Sequence, residues 1–121
     1  MKKYRHVVSL VEQAQNIVIT THLHPDADGV GSQVALGMAL LQLGKNVTCV
    51  NEMPLSPRYK YLDAKDFVIS SDEFIERSQG KAIDLIIVVD TNSLSRIGTK
   101  MVSLVQHSKN MLFVDHHPAP K

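Results

Sequence analysis

Cysteine is nearly absent from this sequence of 121 residues, in which Cys49 is the sole thiol and tryptophan does not occur. A single thiol excludes an internal disulfide framework and a zinc site made of several cysteines. Because Cys49 lies within an apolar strand pattern, we expect it to be unreactive.

The sequence also lacks a surplus of charge and a long apolar run. Thirteen Lys and Arg against twelve Asp and Glu leave a net charge of +1, so any affinity for phosphate must be local. No apolar segment is long enough for export or for crossing a bilayer. We therefore expect a cytoplasmic protein of about one domain, without a membrane partner.

Short apolar runs rich in β-branched residues predict strands, and the segments between them predict helices. The predicted strands span residues 16–21, 47–50, 67–69, 85–89 and 111–114, and the predicted helices span about 4–15, a segment between Asp28 and Gly44, 72–78 and 99–107. The strand at 85–89 has no polar alternation, which indicates burial on both faces of a parallel sheet. This pattern predicts an α/β fold, a doubly wound, mostly parallel five-stranded sheet with helices on both faces.

Aspartate and histidine side chains follow three of these strands. They are His22, Asp26 and Asp28 after the first strand, Asp90 after the fourth, and Asp115, His116 and His117 after the last. In a doubly wound sheet, ligands bind at the carboxyl ends of the strands. We therefore expect these side chains to meet in one crevice.

Converging aspartates repel one another unless a positive charge lies among them. Asp and His without Cys form a ligand set suited to Mn²⁺, Mg²⁺, Co²⁺ or Zn²⁺. Each residue alone also fits a structural role: Asp28 as a helix N-cap, Asp90 as a turn residue. Together they predict a metal site on a loop that contains Pro25, with His24 pointing away from it.

Three motifs in order resemble a known family. They are residues 21–32 (THLHPDADGVGS), residues 88–91 (VVDT) and residues 115–118 (DHHP). By these motifs the chain resembles the N-terminal domain of the DHH phosphoesterase superfamily. It is most similar there to bacterial enzymes that degrade short oligoribonucleotides and dephosphorylate 3′-phosphoadenosine 5′-phosphate, the nanoRNase and pAp-phosphatase group.

The resemblance implies two Mn²⁺ ions that activate water, with Mg²⁺ or Co²⁺ as alternatives. It assigns His22, Asp26 and Asp90 to the first ion, Asp28, Asp90 and His116 to the second, His117 to substrate phosphate, and Asp115 to orienting the cluster. Asp90, His116, His117 and Asp115 are the expected catalytic residues. Gly29, Gly31 and Ser32 would begin the next helix, whose amino end favours an anion.

Further candidates lie outside the motifs. Arg96 follows the central strand and is a candidate for substrate phosphate, as is Ser32, although an ion-paired surface arginine is equally compatible. Arg58, Lys60 and Lys65 flank Tyr59 and Tyr61, a pattern that fits either a short-RNA surface or a solvated loop.

Two features of the resembling family are missing between residues 1 and 121. These are a fourth motif with a further Asp ligand and a C-terminal DHHA1 domain that binds substrate. We therefore expect the chain to be the N-terminal part of a longer protein and to have weak or no activity alone. Surfaces that the missing part would cover favour a homo-oligomer.

The predicted function is a metal-dependent phosphoesterase acting on short RNA or a phosphorylated nucleotide. Cyclic dinucleotides, pyrophosphate and polyphosphate are alternative substrates of the same two-metal chemistry. A metal- or nucleotide-binding module without catalysis is the alternative from another class.

Overall fold

Five strands form the sheet in the computed structural model, which describes residues 4–116. They are β1 (Asn16–Thr20), β2 (Asn46–Asn51), β3 (Val68–Ser70), β4 (Ile83–Val89) and β5 (Ser108–Val114). Every neighbouring pair is parallel, and the spatial order is β3-β2-β1-β4-β5. The order reverses direction between β1 and β4, which is where ligands bind in open α/β sheets.

One α-helix precedes β1, and three more lie between strands. They are α1 (Arg5–Gln13), α2 (Ala27–Gln42), α3 (Ser71–Ser78) and α4 (Thr99–Gln106), with 3₁₀ helices at Pro57–Leu62 and Leu94–Arg96. The predicted α/β class and five strands are confirmed, and the sheet is wholly rather than mostly parallel. Within residues 4–116, no helix has the length and apolar character needed to cross a membrane.

The core lies on both faces of β4, as the unbroken apolar run predicts. Leu85 and Ile87 pack into one buried cluster with residues of α2, while Ile86 and Val88 pack into a second with Met101 of α4. Cys49 is fully buried in the first cluster, and this burial raises the pKa of its thiol to about 12. The thiol is therefore protonated at neutral pH, in agreement with the expected lack of reactivity.

The structure differs from the sequence prediction at three local places. Helix α2 begins at Ala27 with Asp26 as its N-cap, so Gly31 and Ser32 lie beyond the first turn. Strand β5 begins at Ser108, three residues before the apolar run, because an edge strand tolerates polar side chains. The 3₁₀ helix from Pro57 begins where Ser56 accepts a hydrogen bond from the Arg58 N–H, a local signal that apolar periodicity does not reveal.

Candidate metal centre

The loop after β1 is tied to β4 and to the loop that follows β4. The buried Thr21 hydroxyl donates to the Val89 carbonyl at 2.8 Å, and the Leu23 N–H donates to the Arg96 carbonyl at 2.7 Å. These bonds join the carboxyl ends of the two central strands. The two loops that carry the predicted ligands are therefore fixed relative to each other.

His22 is oriented by its own backbone. Its Nδ1 lies 2.8 Å from the Leu23 carbonyl oxygen. A carbonyl can only accept a hydrogen bond, so Nδ1 carries a proton and Nε2 is the ring nitrogen that remains to bind an ion. That Nε2 lies 3.5 Å from Asp90 Oδ2. Fixing one ring nitrogen in this way is typical of histidines that bind metal through the other.

Asp90 is the buried centre of the cluster, with a side chain only 5% exposed. Its φ of 63° is left-handed, which ends β4 sharply, and its N–H donates to the Val114 carbonyl at 3.0 Å. His116 Nε2 lies 2.9 Å from Asp90 Oδ1 and 3.3 Å from Asp28 Oδ2. One carboxylate thus faces imidazoles from two different strand ends.

Asp26 caps helix α2 and also faces the cluster. Its Oδ1 accepts the Gly29 N–H at 3.0 Å, and this bond lowers the pKa of the Asp26 carboxyl, with a smaller contribution from His22. A Cβ on Gly29 would lie 2.9 Å from Thr21 Oγ1 and 3.4 Å from Asp90 Oδ2. Gly29 is therefore required for the close approach of α2 to the carboxylates.

The ligand atoms form two groups that share Asp90. His22, Asp26 and Asp90 form one group and Asp28, Asp90 and His116 the other, each with its ligand atoms within 4.8 Å of one another. Oxygen and imidazole nitrogen donors suit a divalent cation of the Mg²⁺ to Mn²⁺ kind. The residues thus fit the metal that the sequence predicts, in number and in chemistry.

The residues that the structure describes end at His116, within the motif at residues 115–118. The hydrogen bond to Asp90 raises the pKa of His116, with smaller contributions from Asp28 and Asp115. These carboxylates therefore favour the protonated form of the His116 ring. Asp115 is half-buried beside His116, and His117 lies outside the described residues.

A cleft of about 540 Å³ opens above the cluster. It is lined by His22, Asp26, Asp28, Asp90, Thr91, Asn92, Arg96 and His116. The predicted substrate residue Arg96 is thus in the cleft, whereas Ser32 is exposed on α2 and does not line it. His24 does not line the cleft either, in agreement with its predicted direction.

Sequence reasoning missed three polar side chains that support the site. Gln33 of α2 donates to the Ile19 carbonyl at 2.7 Å and exchanges hydrogen bonds with the Asn51 amide. Glu52 accepts the Met101 and Lys100 N–H groups at 3.0 and 3.3 Å and so caps α4, which has no cap of its own. The available signal was a glutamine on the apolar face of a predicted helix.

Comparison with known proteins agrees with this geometry. Among solved structures, the chain is similar to an exopolyphosphatase-related protein from Bacteroides fragilis, with a TM-score of 0.81 and 28% sequence identity. The similarity covers 96% of this chain and 35% of that protein, so this chain spans about a third of its length. Residues 16–121 match the family model described as the DHH family, N-terminal domain. The chain therefore belongs to the DHH family and, with it, to a superfamily of metal-dependent phosphoesterases.

Proposed function

We propose that the protein containing this chain hydrolyses short oligoribonucleotides and 3′-phosphoadenosine 5′-phosphate with two metal ions. The observation that carries the proposal is the pair of three-ligand groups joined by the buried Asp90. A carboxylate shared by neighbouring groups can hold two ions close together, as two-metal phosphoryl chemistry requires.

His22, Asp26 and Asp90 would hold one ion, and Asp28, Asp90 and His116 the other. When bound, two Mn²⁺ ions supply activation of water and neutralise charge on the phosphoryl oxygens. The Leu23 carbonyl keeps the His22 ring in the tautomer whose Nε2 faces the cleft. The thiolate-free ligand set favours Mn²⁺ over softer metals.

Arg96 supplies the positive side chain that a phosphoester needs beyond the ions. It lines the cleft, and its carbonyl is bonded to the Leu23 N–H, so its backbone moves with the loop that carries His22. A guanidinium held there would bind a non-bridging phosphoryl oxygen and orient the ester. Further substrate contacts, including the one predicted for His117, would come from residues outside 4–116.

The test compares substrates and metals on the full-length protein. After EDTA treatment, hydrolysis of a diribonucleotide and of 3′-phosphoadenosine 5′-phosphate should be lost and should return best with Mn²⁺. Asp90→Asn should abolish it, whereas Lys81→Ala, near the amino ends of the strands, should have no effect. Full hydrolysis after exhaustive chelation would contradict the two-metal proposal.

The similarity to an exopolyphosphatase-related protein favours a second candidate, hydrolysis of a phosphoanhydride. A rate on pyrophosphate or polyphosphate at least tenfold above both nucleotides, about 1.4 kcal/mol in barrier, would favour it. Cyclic dinucleotides belong in the same substrate panel. Ion binding without any hydrolysis would indicate the non-catalytic module.

Oligomeric state and compartment remain predictions. We propose a homo-oligomer, supported by exposed apolar side chains such as Leu43 and Tyr61, which are 69% and 72% exposed, and we propose a cytoplasmic location as a separate expectation. Size-exclusion chromatography with light scattering on this chain and on the full-length protein tests the oligomer, and a monomer in both would contradict it.

A further inference from the structure

A second cavity borders the metal cleft. Its volume is about 310 Å³, and it lies between the loop after β1 and the segment from Asn51 to Tyr59. His22 lines both spaces, so the two adjoin at this residue. A ligand with one end at the metal ligands therefore has this cavity within reach of its other end.

His24 faces this second cavity through an unfavourable backbone conformation. Its φ is 53°, which is uncommon for a residue with a side chain and is further restricted before Pro25. The preceding Leu23 N–H is bonded to the Arg96 carbonyl, which holds the loop in place. As a result, His22 faces the metal cleft and His24 lines the cavity on the other side of the loop. Held strain of this kind is typical of functional loops.

The cavity walls combine flat apolar surface with little net charge. Leu55 and the half-buried Tyr59 pack against the core, and the Arg58 guanidinium lies 6.0 Å from the centre of the Tyr59 ring. Arg58 and Glu52 both line the cavity, so its walls include one basic and one acidic side chain. A second phosphate group would therefore meet no surplus of positive charge.

A nucleobase meets these conditions better than a phosphate does. Its ring is flat and uncharged, it stacks on aromatic side chains and guanidinium planes, and its edge carries hydrogen-bond donors and acceptors that an imidazole can bind. In a nucleotide substrate, the base is covalently attached through the ribose to the phosphate group that enters the metal cleft. The cavity and the cleft thus match the two ends of one nucleotide.

We infer that this cavity is a nucleobase subsite, in which Arg58 and Tyr59 stack the base and His24 binds its edge. The inference rests on the proposed function and extends it, because it makes the base a part of what the enzyme recognises. A phosphoanhydride without a base would leave the subsite empty. Arg58 and His24 are then specificity-determining residues.

The experiment uses the full-length protein with Mn²⁺ and two matched substrates, a diribonucleotide and the same molecule with abasic riboses. Arg58→Ala and His24→Asn should each raise KM for the diribonucleotide roughly tenfold, with kcat within about twofold. Both variants should leave the abasic substrate unchanged. Asparagine is the chosen replacement because it tolerates the left-handed conformation of residue 24.

Lys60→Ala is the matched control for lost charge. Lys60 lies two positions from Arg58, pairs with Asp66 and does not line the cavity, so its removal should not change KM. Equal KM increases on both substrates, or equal effects of Arg58→Ala and Lys60→Ala, would overturn the inference in favour of general electrostatic attraction. No change in any variant would overturn it as well.

A second measurement separates this inference from the proposed function. Adenosine, which carries no phosphate, should shift the backbone amide resonances of the non-proline residues in the ranges 22–25 and 53–59 of the metal-free full-length protein, and ribose should not. Arg58→Ala should weaken the adenosine effect roughly tenfold. If adenosine binds but no nucleotide is hydrolysed, the subsite stands and the proposed function fails. If nucleotides are hydrolysed and adenosine causes no shifts, the subsite fails and the function stands.

Discussion

Strand β4 carries an aspartate at each end, and the two have opposite surroundings. At the amino end, Asp84 Oδ2 accepts the N–H groups of Gln15 and Asn16 at 2.9 and 2.8 Å, and these bonds lower the pKa of its carboxyl. At the carboxyl end, Asp90 faces the imidazoles of His22 and His116. The residue type is the same, but the first carboxylate is satisfied by fixed backbone donors and the second by groups that can themselves bind a cation.

This difference separates a structural carboxylate from a ligand. Backbone N–H groups cannot leave, so Asp84 stabilises the fold whatever the solution contains. Imidazoles can turn from a carboxylate to a metal when one is present, so the partners of Asp90 describe a site that is complete only with a cation.

Asp90→Asn should remove more than about 100-fold of the hydrolytic activity of the full-length protein, because loss of a residue that merely orients a ligand already removes 10–100-fold. Asparagine tolerates the left-handed φ of 63°, so the backbone should be unaffected. Steady-state kinetics and the melting temperature are the measurements. Asp84→Asn is the control and should retain near-normal turnover at a temperature where it is folded.

Mn²⁺ should stabilise the folded protein. At a concentration 100 times its dissociation constant, an ion that binds only the folded state adds about 2.7 kcal/mol, or roughly 10 °C in melting temperature for a domain of this size. Differential scanning fluorimetry with and without EDTA measures the shift. The shift should persist in Asp84→Asn and nearly disappear in Asp90→Asn, and a similar shift in both variants would contradict the ligand assignment.

Asp84→Asn should lower the free energy of unfolding by about 1–2 kcal/mol at neutral pH, because two charge-assisted hydrogen bonds to backbone N–H groups become neutral or are lost. The folded-state pKa of Asp84 lies below its ordinary value of 3.8. Its contribution is therefore fully present above that value and lost as the pH falls through the lower folded-state pKa. Urea unfolding from pH 7 to pH 3 should show the two proteins converging at the acidic end.

Glu52→Ala should have the smallest effect, about 1 kcal/mol of stability, because α4 would lose its N-terminal cap. Glu52 lies at the same end of the sheet as Asp90, yet it accepts backbone N–H groups, as Asp84 does. Its loss should therefore leave the Mn²⁺-induced shift in melting temperature intact. A loss of that shift would mean that position in the sheet, and not the type of partner, decides which carboxylates bind the ions.

The sequence predicts the candidate metal ligands better than it predicts the carboxylates that accept backbone N–H groups. His22, Asp28, Asp90 and His116 all follow parallel strands, so alternation of strands and helices suffices to bring them to one edge of the sheet. Asp84 and Glu52 accept N–H groups that lie 69 and 49 residues away along the chain. Backbone donors carry no residue-type signal, so these pairs become visible only once the strand order is known.

Strand order itself is beyond the local pattern. Apolar runs predict that five strands exist, but the side-by-side placement of β1 and β4 depends on crossovers on both faces of the sheet. The polar first residues of β5 were missed for a related reason. Their pairing with β4 is a tertiary contact, and their own sequence resembles a turn.

The register between β1 and β4 determines the spacing of the metal ligands. Ile17 pairs with Leu85 and Thr20 with Val88, and both strands are hydrogen-bonded on both sides. Neighbouring strands lie about 4.8 Å apart, close to the 3.5–4 Å that separates the ions of two-metal enzymes. Folding of the sheet therefore already brings the ligands of the loop after β1 next to Asp90. Ion binding does not have to supply the conformational entropy cost of that step. Ion affinity should therefore follow the integrity of these two strands, even for substitutions that touch no ligand.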